Sequence, residues 1–303
     1  MDLIAVVGPT GTGKSALGVA LAHALDGDVV NADSMQLYRG MDIGTAKLTE
    51  AEREGVPHHL LDIWPVTQPA SVAEYQQRAR EVIDRLLLAG RTPILVGGSG
   101  LYVRAVIDRF EFPGTDPTLR ARLERELAEV GPAAMHARLA ERDPRAAAQI
   151  LPSNGRRIVR ALEVIELTGS FTATLPDPEP VYHTVQIGLD MDTALLDDRL
   201  ARRVDAMWQA GFVDEVRRLE AAGLRSGRTA SRALGYQQVL RFLAGECTED
   251  EARQETIRAT RRFVRRQRSW FRRDDRIRWL DATRSDLLDA ALDLVRSARA
   301  IPR

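Results

Sequence analysis

A glycine-rich segment near the start of the chain has the composition of a phosphate-binding loop. The sequence GPTGTGKS at 8–15 matches the pattern GxxxxGK[ST] and lies between a short apolar run and an alanine-rich segment typical of a helix. The glycines let backbone N–H groups converge on an anion, and the following helix N-terminus adds partial positive charge. The Lys14 ammonium supplies a full charge, and the Ser15 hydroxyl is a suitable Mg2+ ligand. This segment, the P-loop, predicts a site for ligand phosphates built from Gly8, Pro9, Thr10, Gly11, Thr12, Gly13, Lys14 and Ser15.

Two further polar side chains follow apolar runs that we predict to be strands. Asp33 comes directly after the run 28–32, and Ser99 lies in the glycine-rich turn that follows the run 92–96. Ligands of parallel sheets bind beyond the carboxyl ends of the strands, so we expect the P-loop, Asp33 and Ser99 to share one crevice. The residues leave two interpretations of Asp33 open. It could hold the magnesium ion of a nucleotide hydrolase, or it could be a general base that takes a proton from a substrate N–H or O–H.

The order of predicted elements indicates the fold class. Strands alternate with helices in the first hundred residues, which predicts an α/β fold with a P-loop NTPase-like parallel sheet flanked by helices. Residues 116–180 instead favour several helices, beginning with Asp116 as a cap and Pro117 at the first helical position, and ending in a proline-rich linker over 172–180. We therefore predict a catalytic core formed by 1–115 and 181–303, and a small all-α insertion domain over 116–180. A single long helix is predicted over 193–222.

Composition limits the function classes. The chain has 303 residues, 44% of them hydrophobic, and 43 basic residues balance 43 acidic ones, so no overall charge indicates a nucleic-acid partner. Its single cysteine, Cys247, excludes an internal disulfide and a cysteine-based zinc site. The sequence shows no signal peptide and no apolar run long enough to span a bilayer, which favours a cytoplasmic protein.

The positive charge is concentrated near the C-terminus. Seven arginines and no acidic residue lie between Arg261 and Arg273. Helical spacing places Arg261, Arg265 and Arg268 on one face and an apolar stripe on the other. Such a stripe of like charge predicts contact with phosphates, either of a nucleic-acid backbone or of a small molecule. The segment SRALGYQ at 231–237 combines an arginine with an aromatic residue, which is suited to holding a splayed nucleotide.

Taken together, these motifs resemble the tRNA dimethylallyltransferase family, also called the tRNA isopentenyl-diphosphate transferases. The resemblance covers most of the chain, and the stretch DSMQLYRGMDIGTAK at 33–47 is far more specific to the family than the P-loop is. The other matching segments are PHHLLDI at 57–63, LVGGSGLY at 95–102, RIVRALEV at 157–164, GYQ at 235–237 and TRRFVRRQRSW at 260–270.

The resemblance implies a reaction and a set of site residues. It implies transfer of a dimethylallyl group from dimethylallyl diphosphate to N6 of adenosine 37 in tRNA, with Mg2+ as cofactor and with the P-loop holding the diphosphate. Asp33 would deprotonate the amine and Ser99 would assist it, serine standing where the family usually has threonine. A monomer is expected. The segments implied to contact tRNA contain Asp33, Ser34, Met35, Gln36, Ser99, Arg120, Arg156, Arg157, Ile158, Val159, Arg160, Arg232, Ala233, Leu234, Gly235, Tyr236, Gln237, Arg261, Arg265 and Arg268.

Three other function classes compete with this one. An ATP-dependent kinase or hydrolase would use Asp33 to hold magnesium. A dimethylallyltransferase acting on free adenylate would share the chemistry without a need to grip tRNA. An RNA-binding module without catalysis would have no use for Lys14, Asp33 and Ser99 at neighbouring strand ends.

Overall fold

One parallel sheet organises the computed structural model, which describes residues 2–172 and 175–300. Neighbouring strands follow the order β3-β2-β4-β1-β5-β6, and every pair is parallel. This confirms the predicted α/β class. The strands are β1 (Leu3–Val7), β2 (Gly27–Asn31), β3 (His58–His59), β4 (Thr92–Val96), β5 (Thr184–Asp190) and β6 (Arg278–Asp281).

Helices cover both faces of the sheet because its central strand is apolar on both sides. In β1, Leu3, Ala5 and Val7 belong to one apolar cluster, whereas Ile4 and Val6 belong to a second on the opposite face. All five residues are buried, as parallel strands between two helical layers require. The helices are α1 (Lys14–Leu25), α2 (Val72–Leu88), α3 (Gly100–Ile107), α4 (Pro117–Arg142), α5 (Pro144–Ala148), α6 (Gly155–Thr168), α7 (Thr193–Gln209), α8 (Phe212–Ala221), α9 (Tyr236–Leu243), α10 (Glu249–Phe271) and α11 (Leu287–Arg299).

The chain divides into two compact units, Met1–Arg109 with Pro180–Arg303, and Phe110–Glu179. The second unit consists of α4, α5 and α6 around its own apolar cluster. Asp116 caps α4 by accepting hydrogen bonds from the N–H groups of Thr118 and Leu119, with Pro117 at the first position, as the sequence predicts. Of the predicted linker over 172–180, residues 173 and 174 lie outside the described residues.

The single helix predicted over 193–222 is wrong. It is two helices, because α7 ends at Gln209 and Gly211 adopts a φ of 91° before α8 begins at Phe212. A left-handed glycine at this point ends a helix without the steric cost that a side chain would add. Among the described residues, no helix is long and apolar enough to cross a membrane.

Candidate active site

The P-loop connects the end of β1 to the start of α1. Gly8, Gly11 and Gly13 have φ values of 128°, 88° and 90°, a region that side chains disfavour. A Cβ atom on Gly8 would lie 2.3 Å from the carbonyl oxygen of Leu189 in β5, so space as well as conformation requires glycine there. The loop is also closed internally, since the Thr12 hydroxyl donates to the Pro9 carbonyl at 2.9 Å.

Lys14 points into this loop. Its ammonium donates to the Pro9 carbonyl oxygen at 2.8 Å and lines a pocket together with Asp33. Burial lowers the pKa of Lys14 to about 8, an effect that the Asp33 carboxylate opposes and the Arg203 guanidinium reinforces. Within residues 2–172 and 175–300, no carboxylate forms a hydrogen bond with this partly desolvated ammonium, so it is prepared to pair with an anionic ligand.

Asp33 and Ser99 lie at the ends of the neighbouring strands β2 and β4. The Asp33 carboxylate accepts a hydrogen bond from the Met35 N–H at 2.9 Å. The backbone N–H of Asp33 donates to Asn31 Oδ1 at 2.9 Å. The Ser99 hydroxyl accepts from the Ser34 N–H at 3.1 Å and donates to the Ser34 hydroxyl at 3.1 Å. The two strand ends are thus joined through Ser34, one residue from Asp33.

A pocket of about 600 Å³ opens beside these residues. Asp33, Gln36 and the P-loop form one part of its wall, whereas Ser99 contacts the neighbouring Ser34 instead of the pocket. Three arginines of α7 also line it: Arg199, Arg202 and Arg203. Burial lowers the pKa of Arg203, while the charge of Asp33 favours its protonated form. The pocket therefore combines several positive side chains with two carboxylates, those of Asp33 and Glu52.

Comparison with known proteins identifies the family. A family model described as IPP transferase matches residues 36–274. The chain is 74% identical over 297 residues to the tRNA dimethylallyltransferase of Salinispora arenicola. The aligned region covers 98% of this chain and 87% of that relative. The chain belongs to the IPP transferase family. It is therefore a transferase.

Solved structures of IPP transferases have the same fold. The full-length tRNA isopentenylpyrophosphate transferase from Bacillus halodurans is 40% identical, with a TM-score of 0.73 and coverage of 98% of both chains. A eukaryotic dimethylallyltransferase acting on tRNA is 25% identical, with a TM-score of 0.82, and the match covers 97% of this chain and 77% of that one.

In this member of the IPP transferase family, the specific stretch 33–47 is fixed by two buried charges. The Lys47 ammonium donates to one carboxylate oxygen each of Asp42 and Asp62, both at 2.6 Å, and to the Tyr38 carbonyl at 3.1 Å. The Glu215 carboxylate accepts backbone N–H groups of residues 42, 43 and 44. Residues 45–48 line the pocket, so these charges hold one of its walls.

The prediction that the aromatic side chain of Tyr236 helps to hold a splayed nucleotide is wrong. Its side chain has no exposed surface, its hydroxyl donates to Glu215 at 2.5 Å, and its ring packs edge-on against Phe212 with centroids 5.0 Å apart. Ala233 and Gly235 are buried too, so within 232–237 the exposed side chains are those of Arg232 and Gln237, with Leu234 partly exposed. Tyr236 instead supports the 42–44 backbone through Glu215.

Tyr236→Phe tests this structural role. Loss of the hydroxyl removes one hydrogen bond to a buried carboxylate, and we expect the free energy of unfolding to fall by about 1–3 kcal/mol. Urea denaturation measures the change, and Tyr182→Phe is the matched control because Tyr182 bonds Asp84 at an exposed position. A loss of tRNA affinity at unchanged stability would contradict the assignment.

Two arginines predicted to contact tRNA from the insertion also have a structural role. Arg120 and Arg160 both donate to the carboxylate of Glu163, which is completely buried. Burial alone would raise the pKa of Glu163, but the hydrogen bonds from the two arginines lower it below its usual value. The prediction that the side chains of Ile158 and Val159 contact tRNA is wrong, because both are buried in the apolar cluster of the insertion. Arg156 and Arg157 are exposed.

The arginine stripe of α10 is less uniform than its sequence suggests. The Arg268 guanidinium donates to Asp190, to the Thr193 hydroxyl and to the Met191 carbonyl, at 2.9, 2.8 and 2.6 Å. Arg261 donates to the carbonyl of Asp197 at 3.2 Å. The prediction that Arg268 is available to an outside anion is therefore wrong, whereas the Arg261 side chain remains 36% exposed. Arg265 is exposed and has no hydrogen-bonding or ion-pair partner within residues 2–172 and 175–300.

Two site residues are missed by sequence reasoning. Arg203 is one arginine among many on α7, and its 3.4 Å contact with the Thr10 hydroxyl joins residues 193 positions apart. Gln267 lies on the apolar stripe of α10, yet its amide contacts the P-loop at Thr10. The sequence does carry one signal for Gln267: it is an amide on an otherwise apolar helix face. A buried amide needs a hydrogen-bonding partner, so its position indicates a contact with another element.

Proposed function

We propose that this chain transfers the dimethylallyl group of dimethylallyl diphosphate to N6 of adenosine 37 in tRNA, releasing diphosphate and N6-(dimethylallyl)adenosine. The observation that carries the proposal is the pocket that Asp33 shares with the P-loop and Lys14. A carboxylate that lies beside a phosphate-binding loop suits a reaction in which an amine loses a proton while a diphosphate departs. The names of the relatives support the same chemistry.

The donor binds at the cationic part of the pocket. The P-loop N–H groups and Lys14 hold the diphosphate, and Arg203 adds charge from α7. These groups stabilise the charge that develops on the leaving diphosphate as the allylic C–O bond breaks, and one such donor typically contributes about 3 kcal/mol. The Ser15 hydroxyl lines the same pocket as Asp33, and hydroxyl and carboxylate oxygens fit Mg2+, so Ser15 would hold that ion. When bound, Mg2+ would neutralise further diphosphate charge.

The acceptor amine is activated at Asp33. Adenine N6 is a weak nucleophile, so its proton must leave as the new N–C bond forms. The Asp33 carboxylate takes that proton, and the C–O electron pair departs with the diphosphate. Ser99 does not line the pocket, so it assists indirectly, by holding Ser34 next to the Asp33 carboxylate through two hydrogen bonds. The adenine must leave its stack to reach the pocket, at a cost of a few kcal/mol.

Arg265 binds tRNA phosphates in this proposal, together with Arg156 and Arg157 of the insertion. Arg265→Ala should weaken binding of an unmodified anticodon stem-loop and reduce the slope of log K against log salt by about one unit. Fluorescence anisotropy between about 50 and 200 mM salt measures the slope. Arg296→Ala is the matched control, since it removes an exposed arginine of α11 paired with Asp293. An unchanged slope in Arg265→Ala would mean that this arginine does not meet RNA.

The activity itself is tested by mass spectrometry. Unmodified tRNA is incubated with the protein, Mg2+ and dimethylallyl diphosphate, and parallel tubes replace the donor by ATP or the tRNA by AMP. The expected product is a mass gain of one dimethylallyl group on adenosine 37 in the first tube alone. Phosphate release from ATP without prenyl transfer would favour the kinase or hydrolase, and prenylated AMP would favour the free-adenylate enzyme. We propose that the enzyme acts as a monomer in the cytoplasm, where its tRNA substrate is found.

A further inference from the structure

Gln267 connects α10 to two loops of the site. Its side chain is buried, at 6% exposure. The amide oxygen accepts a hydrogen bond from the Thr10 N–H at 2.9 Å, and the amide nitrogen donates to the Gly98 carbonyl at 2.9 Å. The first contact is with the P-loop and the second is with the turn that carries Ser99. One side chain therefore bridges the two loops from a third element.

The turn around Ser99 is shaped to receive α10. A Cβ atom on Gly98 would lie 2.4 Å from the Gln267 amide nitrogen, and one on Gly100 would lie 2.1 Å from the indole of Trp270. Glycine on each side of Ser99 thus allows α10 side chains to approach the backbone closely. The turn and the P-loop follow the paired strands β4 and β1, and side chains of α10 add a second connection between them beyond the strand ends.

Only an amide satisfies both loops. The Thr10 N–H requires an acceptor and the Gly98 carbonyl requires a donor, so the two partners fix the orientation of the Gln267 amide. A glutamate carboxylate could accept from Thr10 but would place an oxygen against the Gly98 carbonyl. A methionine of similar length could make neither bond.

We propose that Gln267 is a positioning residue that sets the distance between the donor loop and the acceptor loop. The inference rests on the proposed function, in which the P-loop holds the diphosphate and Asp33, supported by Ser99 through Ser34, meets the amine. Attack requires the reacting atoms to lie about 3–3.5 Å apart, and a misplacement of about 1 Å costs on the order of 100-fold in rate. Each substrate keeps its own contacts without the bridge, so loss of the bridge affects alignment more than binding.

Gln267→Met and Gln267→Glu test the bridge in the full-length protein. We expect kcat for prenyl transfer to fall about 10- to 100-fold, while KM for dimethylallyl diphosphate and for tRNA each stay within about threefold. Gln77→Met is the matched control, because Gln77 is exposed on α2 and its side chain bonds only Glu81 among the residues that the structure describes. Gly98→Ala should also lower kcat, and combining it with Gln267→Ala should cost less than the sum of the two single effects.

A second measurement does not depend on activity. Amide hydrogen exchange of the ligand-free protein should rise at 8–13 and 97–100 in Gln267→Met, and stay unchanged in the sheet and in Gln77→Met. Unchanged exchange at both loops, or a kcat within about twofold of wild type, overturns the positioning role. A parallel rise in both KM values with a lower melting temperature also overturns it, since it indicates general loss of structure. If the wild-type protein transfers no prenyl group while the exchange responds, the proposed function fails and the bridge stands.

Discussion

Asp33→Asn should lose prenyl transfer almost completely while it still binds tRNA. The amide has nearly the shape of the carboxylate but cannot accept the proton that leaves adenine N6. General-base catalysis contributes about 10²- to 10⁴-fold, so we expect kcat to fall by that factor. The amide oxygen can still accept from the Met35 N–H, which preserves the local turn. Single-turnover transfer of a radiolabelled prenyl group measures the rate, and anisotropy measures tRNA affinity, which should stay within a few fold.

Asp289→Asn provides the control for charge removal. Asp289 is an exposed acid in the first turn of α11, and its substitution should leave both rate and affinity unchanged. Turnover by Asp33→Asn close to the wild-type rate would refute the base assignment. Phosphate release from ATP by the wild-type protein, lost in Asp33→Asn, would instead favour the alternative in which Asp33 holds magnesium.

Local sequence predicts the elements of the site because local physics forms them. β4 is predicted at 92–96 and observed at Thr92–Val96. A short apolar run bounded by turn residues is typical of a strand buried in a parallel sheet. The P-loop conformation is predicted by its glycines, whose positive φ values exclude most other residues. The break at Gly211 is missed because a single glycine within an amphipathic pattern is compatible with a continuous helix.

Contacts between distant segments are what the sequence does not reveal. The arginine stripe has no acidic residue for thirteen positions, yet Arg268 and Arg272 pair with Asp190, a residue at the end of β5. Repulsion along the helix is therefore relieved by a carboxylate from another element. The same reasoning applies to Tyr236, whose exposure in a loop could not be judged without Glu215 and Phe212. Charge patterns along one helix predict an exposed binding face only when no other element supplies the counter-ions.

Lys14→Met should lose most of its transfer activity and yet be more stable than wild type without ligand. The ammonium is the only full charge in the P-loop, so its loss should lower kcat/KM for dimethylallyl diphosphate by about 10²- to 10³-fold. In the wild-type protein the pKa of Lys14 is lowered to about 8, and the protonated form binds the diphosphate. We therefore expect kcat/KM to fall as pH rises above about 8, and this decline should be absent in the residual activity of Lys14→Met.

The same substitution should change stability in the opposite direction to activity, raising the stability of the ligand-free protein. A lysine whose pKa is lower in the folded state than in the unfolded chain destabilises the fold most at pH below the folded value of about 8. The cost is relieved as pH rises toward the unfolded value of about 10.4. Lys14→Met removes that cost, so its melting temperature at pH 7 should exceed that of wild type, and the gain should shrink as the pH is raised.

Lys47 is the matched control for stability, since the chain has no third lysine. Its ammonium is paired with Asp42 and Asp62, so Lys47→Met should lower the melting temperature. Thermal melts of both variants at pH 7 and pH 9.5 would test the contrast. A Lys14→Met protein that melts below wild type at pH 7 would show that the ammonium is stabilised by its surroundings rather than held at a cost for the diphosphate.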